Sequence, residues 1–204
     1  MDFLQFAKIF VKFIFGIFYK IDINGYENIP VSNSGYILCS NHSYWFDPLL
    51  IGSHYPETLH FMAKKELFES PIIGFFARKL KAFPVDRKSN DLKAIKTAVK
   101  ILKEDKILGI FPEGTRNLSG KPVAKAGVAI IAIKARRNVL PVAISSDKQY
   151  RIFSRINITI GEIIDLEEYY SARRITKETY QSISDDIIKR IYNLKNPTIN
   201  TSNR

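Results

Sequence analysis

The chain has 204 residues, 46% hydrophobic and 25% charged, enough to bury a core of its own; wholesale disorder, collagen and a coiled coil are excluded. Thirty-one Lys and Arg against 20 Asp and Glu leave a net charge of +11. Such charge speaks to partners, not fold: an anionic membrane surface, nucleic acid or a phosphorylated small molecule. The single cysteine, Cys39, excludes an intramolecular disulfide and any multi-thiolate metal site.

The first predicted element is a helix over residues 3–19, FLQFAKIFVKFIFGIFY, in which twelve of seventeen residues are Phe, Leu, Ile, Val or Ala. Gln5, Lys8, Lys12, Gly16 and Tyr19 fall three, four, four and three apart, which makes one narrow polar stripe. A signal peptide is disfavoured, because two lysines interrupt the apolar stretch and no A-x-A site follows. Spanning a bilayer is not favoured either. Two central lysines cost about 5 to 7 kcal/mol on the insertion scale, and a dozen apolar residues return about 4 to 7. Lying in the interface suits the pattern better, with phenylalanines in the acyl boundary and lysines reaching the head groups. A helix packed on its own domain is the structural alternative. No second apolar run of eighteen follows, so a polytopic membrane protein is not expected.

Beyond this helix, short apolar runs predict six strands: Gly35 to Ser40, Leu59 to Ala63, Ala82 to Val85, Ile107 to Phe111, Val139 to Ser145 and Ile156 to Ile160. Pro84 puts the third at an edge or irregularity. Helices are predicted from Asp91 to Lys103, capped by Ser89 or Asn90, from Ala124 to Arg137, and from Thr176 to Lys195. The alternation argues an α/β fold: one domain over residues 26–195 with a mixed, largely parallel sheet flanked by helices. Residues 1–25 form an N-terminal amphipathic, membrane-associating segment, and residues 196–204 a polar tail.

Sites in such sheets form at the carboxyl ends of strands. Three polar clusters follow predicted strands. In the first, Asn41-His-Ser-Tyr-Trp-Phe-Asp47, His42 ends a strand and Asp47 follows five residues later at the start of a predicted helix. A turn between them lets the carboxylate hold one imidazole nitrogen while the other takes a proton from a hydroxyl. No G-x-S-x-G elbow supplies a nucleophile, so the substrate's hydroxyl is the better candidate. In the second, Phe83-Pro-Val-Asp-Arg87, Arg87 offers a fork of donors for phosphate or carboxylate. In the third, Phe111-Pro-Glu-Gly-Thr-Arg116, Gly114 permits close backbone approach and Arg116 is a second anion clamp. Glu113 could orient an arginine or accept a substrate hydroxyl. His54 and His60 lack a carboxylate partner and are read as structural; Cys39 is read as core filler.

NHSYWFD, FPVDR, FPEGTR and LPVAI occur in that order over residues 41–144. The series resembles the glycerolipid acyltransferase family, specifically the 1-acylglycerol-3-phosphate acyltransferases. The family's H-x-x-x-x-D pair is matched by His42 and Asp47, its Arg-ending block by Arg87, its E-G-T-R block by Glu113, Gly114, Thr115 and Arg116, and its proline-containing strand by Leu140-Pro-Val142. Lys81 stands where glycine is frequent and Asn117 where serine is common. The resemblance implies acyl transfer from acyl-CoA or acyl-carrier protein to the sn-2 hydroxyl of 1-acylglycerol-3-phosphate, giving phosphatidic acid. It implies His42 as general base, Asp47 as its orienter, and Arg87, Glu113, Gly114, Thr115 and Arg116 around the acceptor phosphate. No cofactor or metal is expected, and no acyl-enzyme. The expected setting is the cytoplasmic face of the cell membrane, among anionic lipids. Two alternatives stay open: the same chemistry on glycerol-3-phosphate or another lysolipid, and a non-enzymatic basic module for membrane or nucleic acid. Nucleic acid is disfavoured because the aromatics concentrate in the N-terminal helix and the apolar runs, not in a basic sheet face.

Overall fold

The structure is a computed structural model that describes residues 2–31, 34–87, 91–172 and 174–195. Helix α1 (Phe3–Phe18) is capped reciprocally: the Asp2 carboxylate accepts the Gln5 N–H at 2.8 Å, and the Gln5 side chain accepts the Asp2 N–H. Then follow β1 (Lys20–Asn24), β2 (Ile37–Ser40), α2 (Asp47–His54), β3 (Leu59–Lys64), α3 (Pro71–Lys79), β4 (Phe83–Val85), α4 (Leu92–Lys103), β5 (Ile107–Ile110), α5 (Gly127–Ala135), β6 (Val139–Ser146), β7 (Arg155–Ile160), α6 (Glu167–Tyr170) and α7 (Lys177–Lys195).

The seven strands form one sheet in the order β1-β7-β6-β2-β5-β3-β4. Every neighbouring pair is parallel except β6 with β7. The sheet is therefore mixed and largely parallel, as expected, and Pro84 lies on the edge strand β4. Alternation along β2 assigns the faces. Ile37 and Cys39 join the core beneath α4, α5 and α7, while Leu38 joins the core beneath α1 and α2. Buried on both faces, β2 and β5 are short continuous apolar runs.

Several sequence expectations change. The strand β1 and the helix α3 escaped prediction. β1 is a five-residue edge strand with the mixed composition KIDIN. α3 combines Pro71, Gly74 and mostly exposed apolar residues, so it lacks the half-polar period of a surface helix. α4 is capped by Asp91, whose carboxylate accepts the Ala94 N–H at 3.0 Å. The expected caps Ser89 and Asn90 lie outside the described residues, as does the tail at 196–204. α5 stops at Arg136, which takes the left-handed conformation.

The N-terminal helix departs most from expectation. Lys8 does not reach outward. Its ammonium donates to the carbonyls of Tyr55 at 3.0 Å and Glu57 at 2.5 Å, just past the end of α2. Burial pushes that ammonium below its ordinary value. Phe15 is buried against Phe46, with ring centroids 5.0 Å apart. The face turned away from the domain is the apolar one, with Phe6, Ile9, Phe10, Phe13 and Ile17 exposed. Among the described residues, no helix is long and apolar enough to cross a membrane.

Candidate active site

Strands β2, β3, β4 and β5 run parallel, so their carboxyl ends share one sheet edge, where the three polar clusters meet. Past β2 the chain is locked before it turns. Asn41 accepts the Ile144 N–H at 2.8 Å and donates to the Ile144 carbonyl at 3.0 Å, tying the turn to β6. Asp47 then opens α2 and aims its carboxylate back into that turn. Its Oδ2 lies 2.9 Å from His42 Nδ1 and accepts the backbone N–H groups of Ser43 and Tyr44, each at 2.7 Å. Asp47 is fully buried, and the three donors and the helix N-terminus offset the loss of water around its charge. A carboxylate at Nδ1 fixes the tautomer with that nitrogen protonated, leaving Nε2 as the basic nitrogen.

The imidazole plane is set from below. Phe111 lies against His42 with centroids 4.4 Å apart and planes 28° apart, and Phe61 stacks on Phe111 at 5.9 Å. Gly109 makes room for this pile, because a Cβ there would sit 2.3 Å from the Phe61 ring.

His42 faces a cavity of about 610 Å³, within the range of about 300 to 1,000 Å³ usual for small-molecule sites. Its walls are overwhelmingly apolar: Leu4, Ala7 and Val11 from α1, Leu49 and Gly52 from α2, and Ile72, Phe76 and Ala77 from α3. Its cations are few and include Arg87, Arg116 and Lys64. Arg87 is partly buried, and that burial lowers its guanidinium against the pull of Glu66. Arg116 is exposed. Both arginines stand in the sequence clusters; Lys64, which closes β3 and lies 3.4 Å from Glu66, stands in none of them. A cation at the carboxyl end of a sheet strand was the signal available for it.

Phe111 of the third cluster also lines the cavity, whereas Glu113, Gly114 and Thr115 do not. Glu113 is buried behind His42: its Oε2 accepts the His42 N–H at 2.7 Å, and its Oε1 accepts from Tyr192 at 2.8 Å and Asn117 at 3.0 Å. Burial raises the Glu113 carboxyl, and these three donors oppose the rise. Gly114 takes φ +71°, and a Cβ there would meet the Lys125 side chain at 2.9 Å. Thr115 is exposed. Glu113 and Gly114 thus shape the turn behind His42, while Thr115 stands at the surface beside Arg116. Asn41, Phe111 and Asn117 stand in or beside the sequence clusters but have no role assigned there, and Tyr192 lies outside all of them.

The structural readings of the other groups agree with their surroundings. Burial lowers the imidazoles of the half-buried His54 and His60 and raises the thiol of Cys39, which lies in the core. Lys81, standing where glycine is frequent in the family it resembles, has φ +63°, a conformation glycine adopts without strain.

The acyltransferase family model matches residues 20–145, a span that carries all three clusters. The chain is 35% identical over 190 residues to the 1-acyl-sn-glycerol-3-phosphate acyltransferase of Bacillus subtilis, covering 91% of this chain and 94% of that one. It is 31% identical over 166 residues to the enzyme of that name from Streptococcus pneumoniae, covering 79% of this chain and 61% of the relative. The crystal structure of the 1-acyl-sn-glycerophosphate acyltransferase PlsC from Thermotoga maritima superposes with a TM-score of 0.70 at 26% identity, covering 92% of this chain and 77% of the other. A sheet edge that pairs a buried His–Asp couple with arginines over an apolar cavity thus carries a familiar label: the chain belongs to the acyltransferase family, among the 1-acyl-sn-glycerol-3-phosphate acyltransferases.

Proposed function

We propose that this chain transfers a fatty acyl group from a thioester, acyl-CoA or acyl-carrier protein, to the sn-2 hydroxyl of 1-acylglycerol-3-phosphate, forming phosphatidic acid. One observation carries the reading: His42 with its Asp47 partner opens onto the same apolar cavity that Arg87 and Arg116 reach. The acceptor's phosphate sits on the arginines and Lys64, and the apolar walls take acyl chain. Nε2 of His42 removes the proton from the acceptor hydroxyl, and that oxygen attacks the thioester carbonyl carbon. The tetrahedral adduct collapses with loss of thiolate, which takes the proton back from the imidazolium. Ester forms, thioester breaks, and His42 returns to its neutral state without an acyl-enzyme. Asp47 stabilises the transient imidazolium throughout. The residues need no metal or cofactor for these steps.

A membrane setting, at its cytoplasmic face, belongs to the same proposal. The outer face of α1 exposes Phe6, Phe10 and Phe13, and α3 exposes Ile72, Ile73 and Phe75 beside it. Phe3 and Phe76 join the two helices, with ring centroids 6.2 Å apart. Both helices also wall the cavity, so a chain can pass from lipid to site between apolar surfaces. The net charge of +11 favours anionic lipid.

The test offers purified protein one labelled acyl thioester at a time, on CoA and on acyl-carrier protein, with lysophosphatidic acid, glycerol-3-phosphate or a neutral lysolipid. Phosphatidic acid formed by wild type and not by His42→Ala is the expected result. Transfer to another acceptor would keep the chemistry and replace the substrate; no transfer from either donor would refute the reading.

A further inference from the structure

The C-terminal helix reaches into the active-site wall, although none of the sequence clusters extends to it. Tyr192 on α7 is buried, at 8% exposure, and its hydroxyl donates to Glu113 Oε1 at 2.8 Å. The same hydroxyl accepts from Asn117 Nδ2 at 3.1 Å, and Asn117 also donates to Glu113 Oε1 at 3.0 Å. The three groups close a triangle around one carboxylate oxygen. The other oxygen holds the His42 N–H at 2.7 Å, and the Asn117 N–H returns to the His42 carbonyl at 2.7 Å. Both peptide groups of the histidine are therefore held by the segment Tyr192 braces. A second tie runs parallel: Gln181 of α7 donates to the Ala124 carbonyl at 2.9 Å.

We infer that Tyr192 is a positioning residue for the acyl transfer proposed above, acting through Glu113 and Asn117 to hold the His42 backbone and the turn that carries Arg116. This rests on that reading for its kinetic part only. The chemistry calls for such a brace. Glu113 sits in a desolvated place where a carboxylate is costly, and a phenol donor is worth more to the ionised form than to the protonated one. The titratable groups that face Glu113 are His42, Cys39, Tyr150 and Tyr192, with Lys125 lying over the neighbouring Gly114. Among these, Tyr192 directs its hydroxyl to the carboxylate itself. Without that donor, Glu113 takes up a proton more readily, and the segment around His42 loosens.

Tyr192→Phe keeps the ring in its core site and deletes only the hydroxyl. We expect kcat to fall about tenfold, the scale of a lost hydrogen bond to a charged group, with a smaller change in KM for the thioester. The activity that wild type loses on acidification should be lost at higher pH in the variant. Tyr192→Leu should lose at least as much, and restoration of a donor by Tyr192→His should recover part of it. Amide hydrogen exchange gives a readout that needs no turnover: the His42 and Asn117 amides should lose protection in Tyr192→Phe while amides of β2 and β5 keep theirs. Wild-type exchange at both amides in Tyr192→Phe would overturn the inference, even if the melting temperature fell. So would an unchanged pH profile in an active enzyme. Failure of acyl transfer in wild type would refute the functional proposal while the exchange experiment still decides this one.

Discussion

Asp47→Asn isolates the charge of the orienting residue from its shape. The carboxylate gathers three donors on one oxygen, two of them backbone N–H groups at 2.7 Å. An asparagine carbonyl can keep those two, so the turn should fold as before. What disappears is the negative charge 2.9 Å from His42 Nδ1, which in the proposed mechanism faces the imidazole as it becomes a cation. With charge centres about 4 Å apart and an effective dielectric of about 20, that attraction is about 4 kcal/mol. The corresponding loss in kcat is about a thousandfold. If the amide flips and presents its NH₂ to Nδ1, the wrong tautomer is held and the loss is larger. The assay is single-turnover acyl transfer at saturating donor and acceptor, beside a thermal melt of each protein. A variant that melts within a few degrees of wild type yet loses less than tenfold in kcat would refute the reasoning, because Asp47 would then be only a helix cap.

Arg87→Ala and Arg116→Ala should each raise KM for a phosphate-bearing acceptor about 10- to 100-fold, with little change for the thioester; equal losses with a neutral lysolipid would remove the phosphate role. Gly114→Ala forces a side chain into φ +71° against Lys125 and should cost about 1 to 2 kcal/mol, a drop of about 2 to 8 °C in melting temperature; an unchanged melt would mean the turn relaxes. Lys8→Met unfastens α1 from the carbonyls of Tyr55 and Glu57, and because α1 walls the cavity, activity should fall in detergent as well as on vesicles. Loss on vesicles alone would make α1 an anchor and nothing more.

The parts of this fold legible in the sequence are those whose reasons are local. β2 and β5 are apolar runs between turn residues because both of their faces are buried, and that composition shows without any partner. α4 shows because its apolar residues return every three or four positions. The edge strand β1 and the helix α3 do not show. The first is defined by pairing with β7, more than a hundred residues away in sequence, and the second has an exposed apolar surface that breaks the expected polarity. The site divides the same way. His42 and Asp47 are five residues apart, so a turn could be foreseen to join them. Glu113 stands in a readable motif, but its partner Tyr192 is 79 residues further on, and only the packing of α7 brings them together.

The helix α1 shows how far periodicity reaches. A polar stripe on a largely apolar helix is compatible with two orientations, and the stripe alone favours placing its lysines toward water or head groups. Lys8 turns the other way because the loop after α2 presents unpaired carbonyls, which an ammonium satisfies better than any apolar residue could. Once Lys8 is fixed, Leu4, Ala7 and Val11 on the same side must face the domain, one turn apart, and there they become cavity wall. The opposite side is then left apolar, next to the equally apolar outer face of α3. One inward lysine thus decides both that the cavity has a wall and that the wall's outer side suits lipid. On the proposed function, anchor and acyl site would be two faces of a single helix, and a substitution at either face should be felt at the other.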